Sequence, residues 1–352
     1  MEILILPGDG IGPEITAATM AILEEVNQRF GLDLAFRIEE IGFASLEKRG
    51  STLPAHVLEA VRRAGGVVLG PISHLDYPPR DRGGVNVSGE LRKVFDLYAN
   101  IRPSRSRKGL SFANKEMDLV IVRENTEGFY SDRNMVAGSG EFMPTEDIAL
   151  SLRKITAFAS NRIARTAFEL ASSRRKKVTA VHKANVLKMT EGLFLREVRK
   201  IAKDFPGVEL EEIIVDAMAA HLIRNPARFD VIVTTNMFGD ILSDEAAELS
   251  GSLGLAASLN AGRDCAVAQA QHGSAPDIAG QDKANPTSLI CSAAMLLEWL
   301  GQRHRNPAFN KASASIEAAV DATLADPATR TADLGGALGT KAFAAAVAKS
   351  LR

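Results

Sequence analysis

Short apolar runs that alternate with helical stretches constrain this chain more than any other feature. Glu2–Leu6 has the length and character of a buried strand, and it stops at Pro7-Gly8-Asp9-Gly10-Ile11-Gly12-Pro13-Glu14. Turn glycines followed by a proline suited to the first helical turn mark a strand–loop–helix junction. The helix continues through Leu23 and Val26. A strand and a helix are expected over 34–64, and further strands at 66–70, 118–122, 177–181 and 229–235. Helices are expected over 90–95, 148–172 and 287–300, the second from Leu152, Ile155, Ala159 and Ile163 at 3–4 spacing. Alternation of this kind predicts an α/β fold with a largely parallel sheet. Between these elements, 72–84 is an irregular loop rich in proline, glycine and charge, a type that is usually functional. Arg174-Arg175-Lys176-Lys177 reads as a solvated loop ahead of a strand.

Composition narrows the class. The chain has 352 residues, 46% apolar and 24% charged, enough for roughly two domains with buried cores. A disordered chain and a disulfide scaffold are thereby excluded. A formal net charge of −1 disfavours sequence-independent nucleic-acid binding. The only cysteines are Cys265 and Cys291, as expected of a reducing compartment. No run approaches the ~18–20 apolar residues of a membrane span. The N-terminus also lacks the basic flank of a signal peptide, so a cytoplasmic location without membrane contact is expected.

Four constellations carry chemistry. Asp240 and Asp244 follow the strand at 229–235, and i,i+4 spacing puts both on one helix face. Like charges there repel unless a cation lies between them, and hard divalent cations take carboxylate oxygens. Asp216, after Ile213-Ile214-Val215, is a third candidate ligand. The alternative is a solvated acidic face. Arg92, Arg102 and Arg123 each border an apolar segment. Three converging arginines suit a substrate with two or more carboxylates, whereas three separate salt bridges are the plainer reading. Lys183, directly after a strand, is a candidate general base or else a surface lysine, with His182 beside it a packed histidine. Tyr130, one of three tyrosines, is alone no more than a core or loop residue. Finally, His272-Gly273-Ser274-Ala275-Pro276-Asp277 has the small residues that let a backbone approach a ligand. Asp277 there can accept hydrogen bonds from ribose hydroxyls and repel a 2′-phosphate, which selects NAD over NADP. No G-x-G-x-x-G follows a strand, so the Rossmann fingerprint is missing.

Taken in order, several of these segments resemble the isocitrate/isopropylmalate dehydrogenase family of metal-dependent β-hydroxyacid oxidative decarboxylases. The resemblance rests on Pro7–Glu14, Asp96-Leu97-Tyr98-Ala99-Asn100-Ile101-Arg102-Pro103 and Arg123-Glu124-Asn125-Thr126-Glu127-Gly128. It continues through His182-Lys183-Ala184-Asn185, Gly239-Asp240-x₃-Asp244 and His272–Asp277. It implies an isopropylmalate dehydrogenase-like two-domain fold with a largely parallel or mixed sheet and no Rossmann fingerprint. Residues 1–99 plus 251–352 would form the cofactor-binding domain, and 100–250 the substrate, metal and dimerisation domain. Arg92, Arg102 and Arg123 match the arginines that grip the malate carboxylates, with Asn86, Ser88 and Asn185 also facing substrate. Tyr130 matches the tyrosine that reprotonates the enol, and Lys183 the lysine that works on the C2 hydroxyl proton from the other subunit. Asp240 and Asp244 match metal ligands for Mg²⁺ or Mn²⁺, joined by Asp216 of a second chain. Ile11, His272, Gly273, Ser274, Ala275, Asp277, Ile278 and Asn285 match NAD contacts. The implied assembly is a homodimer with shared active sites, acting on a small di- or tricarboxylate.

The stretch before Arg92 departs from one branch of the family. Isopropylmalate enzymes resemble a Leu-Leu pair where this chain has Ser88-Gly89. A small polar pair leaves an isopropyl group unpacked, at roughly 0.8 kcal/mol per methylene. Arg123–Gly128 also resembles the isocitrate, homoisocitrate and tartrate/malate members, although no arginine lies near Gly89 as homoisocitrate enzymes have. A polar or small C3 substituent is therefore expected: isocitrate-like, tartrate or D-malate ahead of 3-isopropylmalate. The alternatives are 3-isopropylmalate dehydrogenase and a non-catalytic regulatory subunit, although every lysine, tyrosine and aspartate of the set is present. Gln269 stands where a glutamate is usual ahead of the His272 loop.

Overall fold

The structure is a computed structural model that describes residues 1–107, 109–110, 116–130, 135 and 138–352. The chain divides into two compact units. The first holds Met1–Phe95, a short stretch from Arg107, and Gly251–Arg352; the second holds Asp96–Ser106 and the chain onward to Ser250.

The first unit opens with β1 (Glu2–Leu6), α1 (Gly12–Phe30), β2 (Ala35–Ile38), α2 (Gly42–Arg49), α3 (Ala55–Arg63), β3 (Gly66–Leu69) and α4 (Val87–Val94). Pro13 starts α1, and Gly31 in the left-handed region (φ 61°) ends it. The second unit follows with β4 (Ala99–Arg105), β5 (Asp118–Glu124), β6 (Glu141–Thr145), β7 (Ile148–Ser151), α5 (Ala157–Ser172) and β8 (Lys177–His182). It ends with α6 (Thr190–Ala202), β9 (Glu209–Ile214), α7 (Val215–Arg224), β10 (Val231–Thr234) and α8 (Asn236–Ser250). The chain then returns to the first unit through β11 (Leu259–Ala261), β12 (Ala266–Gln269), α9 (Thr287–His304), α10 (Pro307–Ala325) and α11 (Thr340–Ser350).

Strands in the first unit run in the order β2-β1-β3-β12-β11, parallel except for β11 with β12. In the second the order is β4-β5-β10-β8-β9, parallel except for β4 with β5. Both are α/β assemblies with mostly parallel sheets. β3 and β10 are buried at every residue, as strands covered on both faces must be. Apolar side chains such as Ile15, Ile22, Leu297, Ile316 and Phe343 fill the core of the first unit. Ile163, Phe168, Phe194 and Val198 pack on the strands of the second.

Three expectations are corrected. The helix expected over 148–172 begins only at Ala157; Ile148–Ser151 is instead a strand, paired antiparallel with the unforeseen β6. Thr156 sets that start, because its hydroxyl accepts the Ala159 N–H at 3.1 Å. Residues 34–64 form a strand and two helices rather than one, since α2 stops at Gly50 (φ 72°) and Pro54 precedes α3. Nor is the Arg174–Lys177 run merely solvated. Arg174 reaches the buried Asp230 at 2.8 Å and Asp118 at 2.8 Å, and Lys177 reaches Glu211 at 3.1 Å.

Candidate active site

In the second unit, side chains of both charges gather at the end of β5 and the start of α8. Arg102 on β4 and Arg123 on β5 face the same side of an antiparallel pair, because Asn100 lies opposite Arg123 and Arg102 is two residues on. Both are buried, at 6% and 1% exposure. Buried guanidiniums need counter-charges, and the acidic face of α8 supplies them. Asp240 Oδ1 takes an ion pair from Arg123 and a second from Arg102 at 3.2 Å, and Asp244 pairs with Arg102 at 3.2 Å. The Tyr130 hydroxyl accepts from Arg123 at 2.8 Å and donates to Asp240 Oδ2 at 2.8 Å. Asn236 holds the Arg123 Nε at 2.9 Å, Asn100 the Arg102 Nε at 2.6 Å, and Ser243 an Arg102 terminal nitrogen at 2.7 Å. Burial, and next the neighbouring Arg123, draws the Arg102 guanidinium down to about 10, so it still carries its charge at neutral pH. Gly239 makes the fit possible: a Cβ there would lie 2.6 Å from Cγ of Arg123.

The second grouping in this unit joins Lys183 and Asp216. Lys183 follows β8 directly, and its Nζ lies 2.5 Å from Asp216 at the start of α7. That hydrogen bond is the main cause that holds the Asp216 carboxyl below its ordinary range. His182 is half-buried, its Nδ1 accepts the Ala184 N–H at 3.1 Å, and burial lowers its proton affinity, as for a packed neutral histidine. Asn185 lies exposed in the turn beyond. Among the described residues no three His, Cys, Asp or Glu side chains cluster as a metal centre. Asp216, Asp240 and Asp244 thus do not assemble into one ligand cluster within a single chain. Asp240 and Asp244 still suit a hard divalent cation, which takes one or two carboxylates and completes its shell from water and substrate oxygens.

In the first unit, the loops after β1, β3 and β12 interlock. Ile11 donates its N–H to the Ser274 carbonyl at 2.8 Å, and the Ser73 and Ser274 hydroxyls are 2.7 Å apart. Gly10 (φ 56°) admits this approach, since a Cβ there would sit 2.0 Å from the Ser274 oxygen. Asp9 fastens the arrangement, accepting the Phe43 N–H at 2.8 Å, the Ser73 N–H at 3.0 Å and the Tyr77 hydroxyl. Around the last loop, Gly273 faces open space, Asp277 is exposed, and the His272 Nε2 is buried without a hydrogen-bond partner. Ala275 sits at φ 36°, and Ile278 closes the short turn Pro276–Ile278. An orphaned imidazole nitrogen, open space over a glycine and an exposed carboxylate fit a dinucleotide. Asn285 is engaged structurally, with Asp333 at 3.0 Å and the Thr287 N–H at 3.0 Å.

Asn86 serves as the N-cap of α4: its Oδ1 accepts the Gly89 N–H at 3.0 Å, a structural use that the sequence reading omitted. Ser88 and Arg92 are one turn apart on α4, on the same face. The Ser88 hydroxyl donates to Gln269 Oε1 at 2.9 Å, which also takes the Asn260 amide at 3.4 Å.

Sequence reasoning overlooked Asn100, Asn236 and Ser243, which hold the arginines, although all three lie in or beside the motifs. Glu127 was also overlooked. Its carboxylate accepts the Thr156 N–H at 2.8 Å and hydroxyl at 2.9 Å, and burial pushes it up to about 7 against those bonds. Between about pH 4.5 and 7 the folded chain keeps a proton that the unfolded chain releases. Its contribution is therefore complete below about 4.5 and lost as pH rises through 7. The melting midpoint should be lower at pH 8 than at pH 5.5, with a Glu127 share of the order of 2 kcal/mol. Thermal melts of Glu127→Gln should show a weaker pH dependence over that range; an unchanged slope would refute the assignment.

The fold and these groups define a two-unit α/β protein in which buried arginines meet carboxylates and a tyrosine hydroxyl. The family model described as isocitrate/isopropylmalate dehydrogenase matches residues 2–347. A 3-isopropylmalate dehydrogenase of Methanothermobacter thermautotrophicus is 43% identical, over 100% of this chain and 98% of its own length. An isocitrate/homoisocitrate dehydrogenase of Thermus thermophilus is 44% identical, over 100% and 98%. The crystal structure of isocitrate dehydrogenase from Methylococcus capsulatus superposes with a TM-score of 0.87 at 41% identity, covering 99% of this chain and 98% of that one. The chain belongs to the isocitrate/isopropylmalate dehydrogenase family. It is a decarboxylating dehydrogenase of a family that in general depends on NAD and a divalent metal. Among the described residues, no helix is long and apolar enough to cross a membrane.

Proposed function

We propose that this enzyme oxidises and decarboxylates a 3-substituted (R)-malate, with NAD as oxidant and Mg²⁺ or Mn²⁺ as its metal. The observation that carries the reading is Asp240, held at once by the buried Arg102 and Arg123 and by the Tyr130 hydroxyl. NAD supplies the hydride acceptor and the cation supplies Lewis-acid polarisation of substrate oxygens. Arg92, Arg102 and Arg123 orient the substrate carboxylates. Lys183, as the neutral amine, takes the C2 hydroxyl proton as hydride leaves C2 for NAD. The C3–carboxylate bond then breaks to release CO₂, its electron pair enters the enolate, and Tyr130 returns a proton to C3. Ile11, Gly273, Ser274, Ala275, Asp277 and Ile278 are assigned to NAD, with the partnerless His272 nitrogen beside them.

The substrate reading moves from the sequence expectation. The name of the 43%-identical Methanothermobacter relative favours 3-isopropylmalate over isocitrate, tartrate and D-malate. A polar substituent, as in isocitrate, is the second reading. The Ser88–Gln269 hydrogen bond favours it, because it leaves polar rather than branched apolar groups beside the Arg92 face. The deciding assay follows NADH with Mg²⁺ across 3-isopropylmalate, isocitrate, homoisocitrate, tartrate and D-malate, with CO₂ release in parallel. The highest kcat/KM is expected for 3-isopropylmalate or, on the second reading, isocitrate. Turnover of none of the five would overturn the function. In the same assay NAD should outperform NADP, and the reverse would remove the role given to Asp277.

A homodimer fits the surface of the second unit. The β6–β7 hairpin exposes Phe142, Met143, Ile148 and Leu150, and α8 exposes Met237 and Ile241. A two-stranded hairpin is at best marginally stable alone, and clustered exposed apolar side chains mark contact surfaces. Lys183 and Asp216, which the family resemblance lends across that dimer, are already paired with each other.

A further inference from the structure

We propose that the buried Glu191, oriented by Arg153, is a positioning residue for Lys183 through the acceptor it offers the Lys183 N–H, an inference that rests on Lys183 being the base of the proposed reaction. β8 ends at His182, whose ladder neighbours are the last of the strand. The next N–H, that of Lys183, leaves the sheet and needs another acceptor. Glu191 provides it: one carboxylate oxygen accepts the Lys183 N–H at 2.8 Å while the other pairs with Arg153. Glu191 is fully buried, at 0% exposure, in the first turn of α6.

Arg153 extends the connection. Its guanidinium donates to Thr190 at 2.9 Å and to Thr235 at 2.9 Å, and it lies 5.5 Å from the Phe129 ring centre and 5.3 Å from that of Phe238. Phe129 adjoins Tyr130, Thr235 directly precedes α8, and Phe238 lies in its first turn two residues before Asp240. One ion pair thus ties together the three segments that carry Lys183, Tyr130 and Asp240. Stability alone does not account for it, because well-packed apolar residues replace buried ion pairs at little or no cost. What apolar residues do not reproduce is an acceptor for the Lys183 N–H. Catalysis is sensitive to that placement, since a shift of about 1 Å in a reacting group costs on the order of 10²-fold.

The test compares two double variants, Arg153→Met/Glu191→Gln and Arg153→Met/Glu191→Leu. Both lack the ion pair, but only the first retains an acceptor for Lys183. Kinetics are measured with NAD, Mg²⁺ and the malate turned over best by the wild-type enzyme, well below the lower melting midpoint. The glutamine double should keep kcat within about tenfold of wild type, whereas the leucine double should lose about 10²-fold. KM for NAD and for the malate should stay unchanged in both. Equal kcat in the two doubles, alongside an inactive Lys183→Met enzyme, would overturn the anchor while leaving the base assigned. A fully active Lys183→Met enzyme would overturn the assigned base and the anchor with it. Should the leucine double fail to fold, Glu191→Asp serves in its place. It is one methylene too short to hold Arg153 and the Lys183 N–H together, so kcat should fall at constant KM, and an unchanged kcat would overturn the proposal.

Discussion

Replacing Lys183 with methionine should lower kcat by about 10²–10⁴-fold, the range for removing a positioned general base. KM for NAD should stay near the wild-type value, because the loops assigned to NAD belong to the first unit and Lys183 to the second. The fold should tolerate the change. The Lys183 side chain is 28% exposed, and its partner Asp216 is 59% exposed. Solvated pairs of this kind add little to stability, and methionine keeps most of the stem volume. Removing the ammonium also removes the main cause of the depressed Asp216 carboxyl, which should return toward its ordinary range. The measurements are steady-state kinetics and a thermal melt. A near-wild-type kcat would remove Lys183 from the chemistry, while a collapsed melting midpoint would assign it to structure.

Fully buried parallel strands are the part of the fold most visible in the sequence. Gly66–Leu69 and Val231–Thr234 are short, apolar but for Thr234, and bounded by turn residues, the pattern of a strand covered on both faces. The β6–β7 hairpin was hidden for the opposite reason. Its residues are all exposed, so no buried face imposes a two-residue period on Glu141–Thr145, and Ile148–Ser151 lies close enough to the periodic helix to be read as its start. Gly50 and Pro54 both punctuate residues 34–64, and together they divide the helical stretch into α2 and α3.

At the candidate site, single residues were legible and their partners were not. Asp240 and Asp244 are related by helix geometry, so their spacing alone places them on one face. The Lys183–Asp216 pair spans 33 residues, and the Arg153–Glu191 pair spans 38. No local period links such positions; Lys183 and Asp216 meet because each follows the end of one of two paired strands, β8 and β9, and Arg153 meets Glu191 from the connection between β7 and α5. Asn86 shows the converse. Local capping chemistry explains its helix-cap bond, while the family resemblance pointed only to substrate.

Asp240→Asn should have an effect as large as that of Lys183→Met, through charge rather than proton transfer. The carboxylate neutralises two guanidiniums whose side chains are only 2% and 8% exposed, and it is also the leading candidate to hold the metal. An amide of the same shape retains the Tyr130 contact but loses the negative charge. Activity should fall by about 10²–10³-fold, as when one preorganised electrostatic contact to a developing charge is lost. The apparent Mg²⁺ requirement should rise as well. Stability gives an independent reading. Mg²⁺ binds the folded enzyme, so it should raise the wild-type melting midpoint by mass action and leave that of Asp240→Asn nearly unmoved. Without metal the variant should itself be less stable than wild type, because Arg123 loses its counter-charge. That loss is tempered because Asp240 is 37% exposed and Asp244 still faces Arg102. Asp244→Asn, which neutralises a carboxylate 56% exposed that faces Arg102 at 3.2 Å, should cost less on both counts. Differential scanning fluorimetry with and without Mg²⁺, beside kinetics at several Mg²⁺ concentrations, separates the roles. An equal Mg²⁺-induced rise in wild type and Asp240→Asn would confine Asp240 to its contacts with the arginines and exclude it as a metal ligand.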